Sequence, residues 1–209
     1  MDMKVAVIAA NGRSGQAFVE AALTAGHTIR AGVRGKNYLK SHPDLTIVEC
    51  DATNESQLKN LISGQEAVAS FIGHVKGSEP NVQTIAIQHV VNIMNELGIK
   101  RLVSLTGSGV RFAGDKISLV DRILNLSISI IDPARVKDGK NHVEVLKVSD
   151  LDWTVIRVLK LQNVPPKPFT LREHGPTKWY VGRQEVAQAF LQVLEKHSFI
   201  KQAPIISNP

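Results

Sequence analysis

The sequence predicts a single doubly wound α/β domain, in which a parallel sheet carries helices on both faces. Short β-branched segments, such as residues 4–9, alternate with segments whose apolar residues have helical spacing, and this alternation continues through six rounds. Such an order implies parallel strands joined by right-handed crossovers. The 209 residues are enough for one buried core and too few for two ordinary enzyme domains.

The first half of the chain accounts for four strands and three helices. Residues 4–9 are β-branched and apolar, as in a strand buried on both faces. The next helix has Ala17, Phe18 and Ala21 at helical spacing and ends at Gly26, while Thr53 is placed to cap the helix after it. The predicted strands are 4–9, 27–33, 45–49 and 67–72, and the predicted helices are 16–24, 53–62 and 81–97.

The second half continues the pattern and then departs from it. Its predicted strands are 101–105, 153–158 and 204–206, and its predicted helices are 117–131, 134–148 and 183–195. Residues 159–182 form an irregular segment because four prolines interrupt it: Pro165, Pro166, Pro168 and Pro176. Excursions beyond strand ends often build substrate pockets, so we expect this segment to act as a lid. No linker or repeat divides residues 1–209, which predicts one domain.

Charge and composition narrow the possible functions. The net charge is +6, but the basic residues are dispersed, which disfavours nucleic acid as the partner and favours a small polyanion. No apolar run approaches the roughly 20 residues that span a bilayer, and the N-terminus lacks the features of a secretory signal. Together with the single cysteine, Cys50, this predicts a cytosolic protein without a membrane partner. The seven histidines lack metal-ligand spacing, so no metal site is predicted.

The junction between the first strand and the first helix has the composition of a phosphate-binding turn. Gly12 allows the backbone to approach a pyrophosphate, and Gly15 allows the helix to pack closely against the strand. The helix N-terminus supplies free N–H groups for an anion, to which Asn11, Arg13 and Ser14 add contacts. Ala9 occupies the place of the usual first glycine. This turn predicts a Rossmann-type dinucleotide site.

The residues after the second strand indicate which dinucleotide is bound. An acidic residue there would select NAD through the ribose 2′-hydroxyl. The chain has Arg34 and Lys36 instead, and two cations suit the 2′-phosphate of NADP(H), which we therefore expect to be preferred over NAD(H). Asp51, after the third strand, is placed either to accept from the adenine amino group or to begin the next helix.

Two further segments carry a resemblance to a known family. Residues 101–108 (RLVSLTGS) and 151–158 (LDWTVIRV), together with the nucleotide turn, resemble the atypical short-chain dehydrogenases/reductases. The closest subgroup comprises the NAD(P)H-binding proteins similar to flavin/biliverdin reductase B and to the NmrA-like regulators. The resemblance covers nearly the whole chain and includes the helix start at residues 183–187 (RQEVA).

The resemblance implies a set of cofactor contacts and a catalytic lysine. The family's catalytic lysine matches Lys140 of this chain. Typical members have a tyrosine, which acts as the acid, four residues before this lysine, but this chain has Val136 at that position. His74 and Thr106, at the carboxyl ends of predicted strands, are the other candidate catalytic residues. The implied cofactor contacts are Asn11, Gly12, Arg13, Ser14, Gly15, Arg34, Asp51, Ala52, Ile72, Gly73, His74, Thr106, Gly107, Val158 and Leu159.

Loss of the tyrosine bears on the reaction. Hydride reduction of a simple carbonyl needs a proton donor at the developing alkoxide, whereas flavins and quinones need less help. We therefore expect an NADPH-dependent reductase acting on a flavin, quinone or similar planar conjugated acceptor. Phe169, Trp179 and Tyr180 are placed either to stack on this acceptor or to pack in the core or the lid. The alternatives are a non-catalytic NADP(H) sensor and, less favoured, an epimerase or lyase acting on a nucleotide sugar.

Overall fold

The computed structural model describes residues 2–75, 77–177 and 180–207. It confirms the α/β fold class, with six helices and ten strands among these residues. The strands are β1 Lys4–Ile8, β2 Thr28–Val33, β3 Leu45–Glu49, β4 Ala67–Ser70, β5 Arg101–Gly107, β6 Asp152–Val158, β7 Leu161–Gln162, β8 Thr170–Arg172, β9 Val181–Gly182 and β10 Ile205–Ser207. The helices are α1 Arg13–Thr24, α2 Glu55–Ile62, α3 Val82–Glu96, α4 Leu119–Ile131, α5 Pro133–Lys147 and α6 Arg183–Glu195.

The main sheet has the strand order β3-β2-β1-β4-β5-β6-β10-β8. The pairs from β3 to β10 are parallel, and β8 alone runs antiparallel, against β10. Strands β2 and β3 are added on one side of β1, whereas β4, β5 and β6 are added on the other side. The strand order therefore switches between β1 and β4, and a crevice opens there at the carboxyl ends of the strands. Beside this sheet, β7 and β9 form a short parallel pair.

Two apolar layers hold the helices on opposite faces of the sheet. Alternate residues of β1 point to different layers: Val5 and Val7 lie with α1 and α6, whereas Ala6 and Ile8 lie with α2, α3 and α5. Side-chain alternation along a strand requires this division. The sheet is therefore covered on both faces, as the sequence predicts, and its central strands β1, β4, β5 and β6 are mostly buried, whereas the edge strands β3 and β8 are partly exposed.

Local differences from the predicted elements have simple causes. Helix α1 begins at Arg13 rather than residue 16, because the phosphate-binding turn leads directly into helical backbone. Thr53 does not cap α2; Asn54 does, by accepting from the Gln57 N–H. Strand β4 ends at Ser70, two residues earlier than predicted. The proline-rich segment is not wholly irregular, since it contains β7, β8 and β9.

One buried ion pair fixes the segments that border the crevice. The guanidinium of Arg157 on β6 makes two hydrogen bonds to the Asp115 carboxylate, of 2.5 and 2.9 Å, and both side chains are buried. It also donates to the backbone carbonyls of Val110, Glu173 and Ala203. The arginine of the LDWTVIR segment thus ties three separate segments of the chain, around residues 110–115, 173 and 203, to the sheet.

Candidate functional site

A cleft of about 510 Å³ lies at the carboxyl ends of β1, β4, β5 and β6. Its walls come from the turn before α1, from the residues after these strands, and from α4, α5 and the start of α6. The structure brings together most of the predicted site residues here: Gly12, Arg13, Ser14, Gly15, Ile72, Gly73, His74, Thr106, Gly107, Val158 and Leu159. A cleft of this size and position accommodates a small organic ligand.

The phosphate-binding turn depends on close backbone packing. Ala9 has a φ of +57°, the left-handed conformation that glycine adopts most easily. A Cβ atom on Gly15 would lie 2.5 Å from the Ala9 carbonyl oxygen and 2.8 Å from the Ala10 Cα atom, so only glycine fits there. At Gly12 the tightest contact would be 3.3 Å, again to the Ala9 oxygen. Of these two glycines, Gly15 is thus the one required by packing.

The N-terminus of α1 is open towards the cleft. Its N-cap is Gly12, which provides no side-chain acceptor, and the first turn contains no acidic residue. The first N–H groups of a helix lack intrahelical acceptors and carry a partial positive charge. Arg13 and Ser14 line the cleft at this point. The donor set fits the pyrophosphate of a dinucleotide.

We predict that Gly15→Ala and Gly12→Ala have different effects. Because the added methyl of Gly15→Ala meets rigid backbone, it should lower the free energy of unfolding by about 1–3 kcal/mol and weaken NADPH binding. Gly12→Ala should keep near-native stability, within about 1 kcal/mol, yet still weaken NADPH binding by blocking approach of the pyrophosphate. Denaturant unfolding and NADPH titration of both variants measure the two effects. Wild-type stability of Gly15→Ala would contradict this account of the turn.

The loop after β2 is joined to the turn and to β3. The Asn11 side chain donates to the Lys36 carbonyl at 2.7 Å and accepts from the Tyr38 N–H at 2.9 Å. The Arg34 guanidinium lies 3.3 Å from the Asp51 carboxylate. Hydrogen bonds from Thr53, and then the bond and charge of Arg34, hold the pKa of Asp51 below its usual range. Asn11, Arg34, Lys36, Asp51 and Ala52 lie outside the cleft lining, at the carboxyl ends of β1, β2 and β3.

The catalytic lysine implied by the resemblance does not line the cleft. Lys140 is exposed on α5, whereas Val136 and Gly139 of the same helix face the cleft. A Cβ atom on Gly139 would lie 3.2 Å from the Thr106 hydroxyl, so α5 passes close to the end of β5. His142 is turned inward and bonds to Ser104, 3.1 Å away, and burial lowers the pKa of His142 to about 4.

His74 has a partner that the sequence does not indicate. Its Nε2 lies 2.8 Å from an Asp138 carboxylate oxygen, and both side chains are at most 9% exposed. Asp138 also accepts from the N–H groups of Gln83 and Thr84 at the start of α3. The carboxylate therefore orients the His74 ring while it caps α3. His74 itself lines the cleft.

The charge of the cleft is positive. Three arginines line it, namely Arg13, Arg135 and Arg183, and the described lining contains no acidic side chain. Burial lowers the pKa of Arg183, and the nearby charge of Arg13 lowers it further. Arg183 also donates to Asn163 at 2.7 Å. Sequence analysis missed Arg183 and Arg135 as site residues, although the RQEVA helix start contains the first of them. Such a cleft favours anionic ligands.

The aromatic residues expected to stack on an acceptor lie elsewhere. Phe169 packs against the apolar core on the α1 and α6 side, and Tyr180 lies 5.9 Å from the Lys167 amino group. Neither contributes to the described cleft lining, while Trp179 falls outside the described residues. Phe71 is the aromatic residue that lines the described cleft. Of the expected aromatic residues, Phe169 and Tyr180 therefore do not stack in this cleft.

Across the described ranges, no helix has the length and hydropathy to cross a membrane. Within the same ranges, no group of three or more histidine, cysteine or acidic side chains is arranged to hold a metal ion.

Comparison with known proteins agrees with this geometry. The strand order, the glycine turn and the cleft at the carboxyl ends define a Rossmann-type nucleotide-binding protein. The chain belongs to the NAD(P)H-binding family, whose model matches residues 9–197. The resemblance drawn from the sequence is thereby confirmed.

Three similar proteins illustrate the relationship. An uncharacterized chloroplastic protein of Arabidopsis thaliana is 26% identical over 98% of this chain and 76% of its own. A Veillonella parvula short-chain dehydrogenase/reductase, solved in complex with NADP, has a TM-score of 0.84 at 18% identity, over 100% of this chain and 96% of that one. A putative NADH-flavin reductase of Streptococcus pneumoniae has a TM-score of 0.75 at 22% identity, over 99% and 100%.

Proposed function

We propose that this protein is an NADPH-dependent reductase that transfers hydride to a flavin, a quinone or a similar planar conjugated acceptor. The observation that carries the proposal is the cleft itself, which has a phosphate-binding turn at one wall and an oriented histidine, His74, at another. The fold neighbour named as a putative NADH-flavin reductase supports the choice of acceptor. We expect the protein to act in the cytosol, with residues 159–182 covering the acceptor.

Different residues of the cleft bind the cofactor and position its reactive ring. The nicotinamide, when bound, supplies the hydride. The open N-terminus of α1, with Arg13, holds the pyrophosphate and so fixes the dinucleotide along the carboxyl ends of the strands. The floor of the cleft is formed by the end of β5, with Thr106 and Gly107, and by the end of β6, with Val158 and the following Leu159. This floor excludes water and positions the ring.

His74 is the group placed to give a proton to a reduced acceptor. Its Nε2 bonds to Asp138, so the Nδ1 atom is the one that remains to transfer a proton. The 2.8 Å contact between Nε2 and the Asp138 carboxylate fixes this orientation of the ring. Thr106 is the second polar group at this wall, while Val136 stands where the tyrosine acid of typical members would lie. A conjugated acceptor suits this arrangement, since it makes smaller demands on a proton donor.

The preference for NADP(H) is carried by Arg34 and Lys36. We predict that Arg34→Ala weakens NADPH binding by about tenfold to a hundredfold, the value of a charge-assisted hydrogen bond of about 1.5–3 kcal/mol, and leaves NADH binding nearly unchanged. Titration calorimetry with both dinucleotides measures this. Arg172→Ala, an exposed arginine on the edge strand β8, is the matched control and should change neither affinity. Equal losses for NADPH and NADH would contradict a 2′-phosphate site at Arg34.

An acceptor screen tests the reaction. NADPH oxidation should proceed with flavin or quinone acceptors and stop when the acceptor is omitted. Tight NADPH binding without turnover on any conjugated acceptor would contradict the reductase proposal.

That outcome would favour the second candidate, a non-catalytic NADP(H) sensor. The observations behind this candidate are Val136 at the position of the tyrosine and the exposure of Lys140. In a sensor, occupancy of the cleft would alter the loops around it and so change the binding of a protein partner.

A further inference from the structure

Helix α4 has an apolar face that the described part of the chain leaves uncovered. Leu119, Ile123, Leu126 and Ile130 follow one another at steps of four, three and four residues, so they share one side of the helix. They are 63–75% exposed, and Ile131 at the helix end is 81% exposed. We call these five residues the α4 face. In most soluble proteins such a face packs against the core.

The opposite side of α4 explains why the helix keeps its place without burying this face. Asp121 is the buried residue of the helix, and it is bonded to Arg111 and to the side-chain amide of Asn125. Ser118 caps the helix by accepting from the Asp121 N–H. Polar contacts thus hold α4, and the side chains of the α4 face are left to solvent.

The surroundings of the α4 face are basic. Lys116 precedes the helix, Arg122 lies within it, and Lys137 and Lys140 lie on the adjacent helix α5; all four are exposed and have no ion pair among the described residues. The partly exposed carboxylates between residues 116 and 147, Asp132 and Glu144, are paired with Arg135 and Lys147. An apolar helix bordered by free cations is complementary to an anionic lipid surface.

A second copy of the chain fits the α4 face less well. A stable dimer buries about 800 Å² and 20–30 residues on each partner, whereas this face provides five apolar residues on a helix about 20 Å long. Pairing two such faces would also bring the Arg122 side chains together, while Asp132, next to Ile131, is already paired with Arg135. Both the area and the charge therefore disfavour self-association.

We propose that the α4 face docks on the surface of an anionic membrane, with α4 lying in the plane of the interface. The proposal replaces the sequence-based expectation that no membrane is a partner. It differs from a membrane span, which the described helices do not provide. Asn125 and Ile128 of the same helix line the cleft, so docking places the cleft beside the lipid. The proposal does not depend on the reductase activity, since it concerns the outer side of α4.

Vesicle binding by the full chain tests the proposal. The protein should sediment with vesicles of phosphatidylcholine and phosphatidylglycerol, much less with phosphatidylcholine alone, and less again as salt is raised. Leu126→Ser/Ile130→Ser and Arg122→Glu should each weaken binding to the anionic vesicles on the order of tenfold. Val148→Ser, at an apolar residue that is 86% exposed but lies outside the face, is the matched control and should bind as wild type does.

Two results would overturn the proposal. One is an absence of vesicle binding, or equal binding by the wild type and the α4 variants. The other is a dimer in light scattering that Leu126→Ser/Ile130→Ser converts to monomer, since this would assign the face to a second copy. NADPH titration of every variant confirms that the fold is retained, because none of the substituted residues lines the cleft.

Discussion

Arg157→Met is expected to lower the free energy of unfolding by about 3–5 kcal/mol, the usual effect of removing one partner from a buried ion pair. The substitution leaves the Asp115 carboxylate buried, with side-chain exposure of 2% in the native structure, and without its principal counter-charge. It also removes the donors that reach three backbone carbonyls. Denaturant unfolding measures the loss.

Two controls separate this effect from a general sensitivity to charge removal. Lys59→Met breaks an exposed pair with Glu96 and should cost at most about 1 kcal/mol. The double variant Arg157→Met/Asp115→Leu removes the stranded carboxylate and should regain part of the stability lost in the single variant. A loss below about 1 kcal/mol for Arg157→Met would contradict the anchoring role assigned to the pair.

The same pair predicts the direction of a pH effect. Burial alone would raise the pKa of Asp115, but hydrogen bonds from Arg157 and from the Phe112 N–H outweigh burial and hold the pKa below its usual range. A lowered carboxyl pKa contributes stability above the pKa of the unfolded state, and this contribution is lost as pH falls through the folded pKa. The difference in stability between wild type and Arg157→Met should therefore shrink in acid.

His74→Ala is expected to reduce turnover of NADPH with a conjugated acceptor by about a hundredfold, at the lower end of the range for general acid catalysis. NADPH affinity should change little, because the phosphate-binding turn follows β1, whereas His74 follows β4. Steady-state rates and NADPH titration, measured on the same preparation, give both quantities. Asp138→Asn is a poorer test, since Asp138 also caps α3.

The control for this prediction is His42→Ala, which changes an exposed histidine between β2 and β3. It should retain full turnover. If His74→Ala also retains full turnover, the proton comes from solvent or from another group, and His74 has no catalytic role. If instead its NADPH affinity falls in proportion to the rate, His74 acts in binding.

Local patterns in the sequence were enough to predict the main elements of the sheet and the nucleotide turn. Strand and helix periodicities differ, and short crossovers in one sheet have a fixed hand, so the alternation of elements implies the strand arrangement. The glycine spacing at Gly12 and Gly15 follows from backbone contact within a few residues. The turn also tolerates an alanine at its first position, since Ala9 adopts the positive φ that a glycine usually provides there.

Contacts between distant segments were beyond this kind of prediction. Asp138 and His74 are 64 residues apart in the sequence, and Arg157 and Asp115 are 42 apart. Neither contact can be predicted from a local spacing of residues. Lys140 is exposed and His142 is buried because of the face of α5 that packs inward. That face is set by Gly139, whose lack of a side chain lets α5 approach Thr106. Sequence periodicity gives a helix its faces but not the rotation at which it docks.

Dinucleotide binding can be tested by thermal unfolding with NADPH and with NADH, which requires no knowledge of the acceptor. A ligand at about 100 times its Kd adds roughly 2.7 kcal/mol to the free energy of unfolding. We expect a clear stabilisation by NADPH and a smaller one by NADH at the same concentration. Stabilisation by neither dinucleotide would contradict binding at residues 9–15, and equal stabilisation by both would contradict the role given to Arg34 and Lys36.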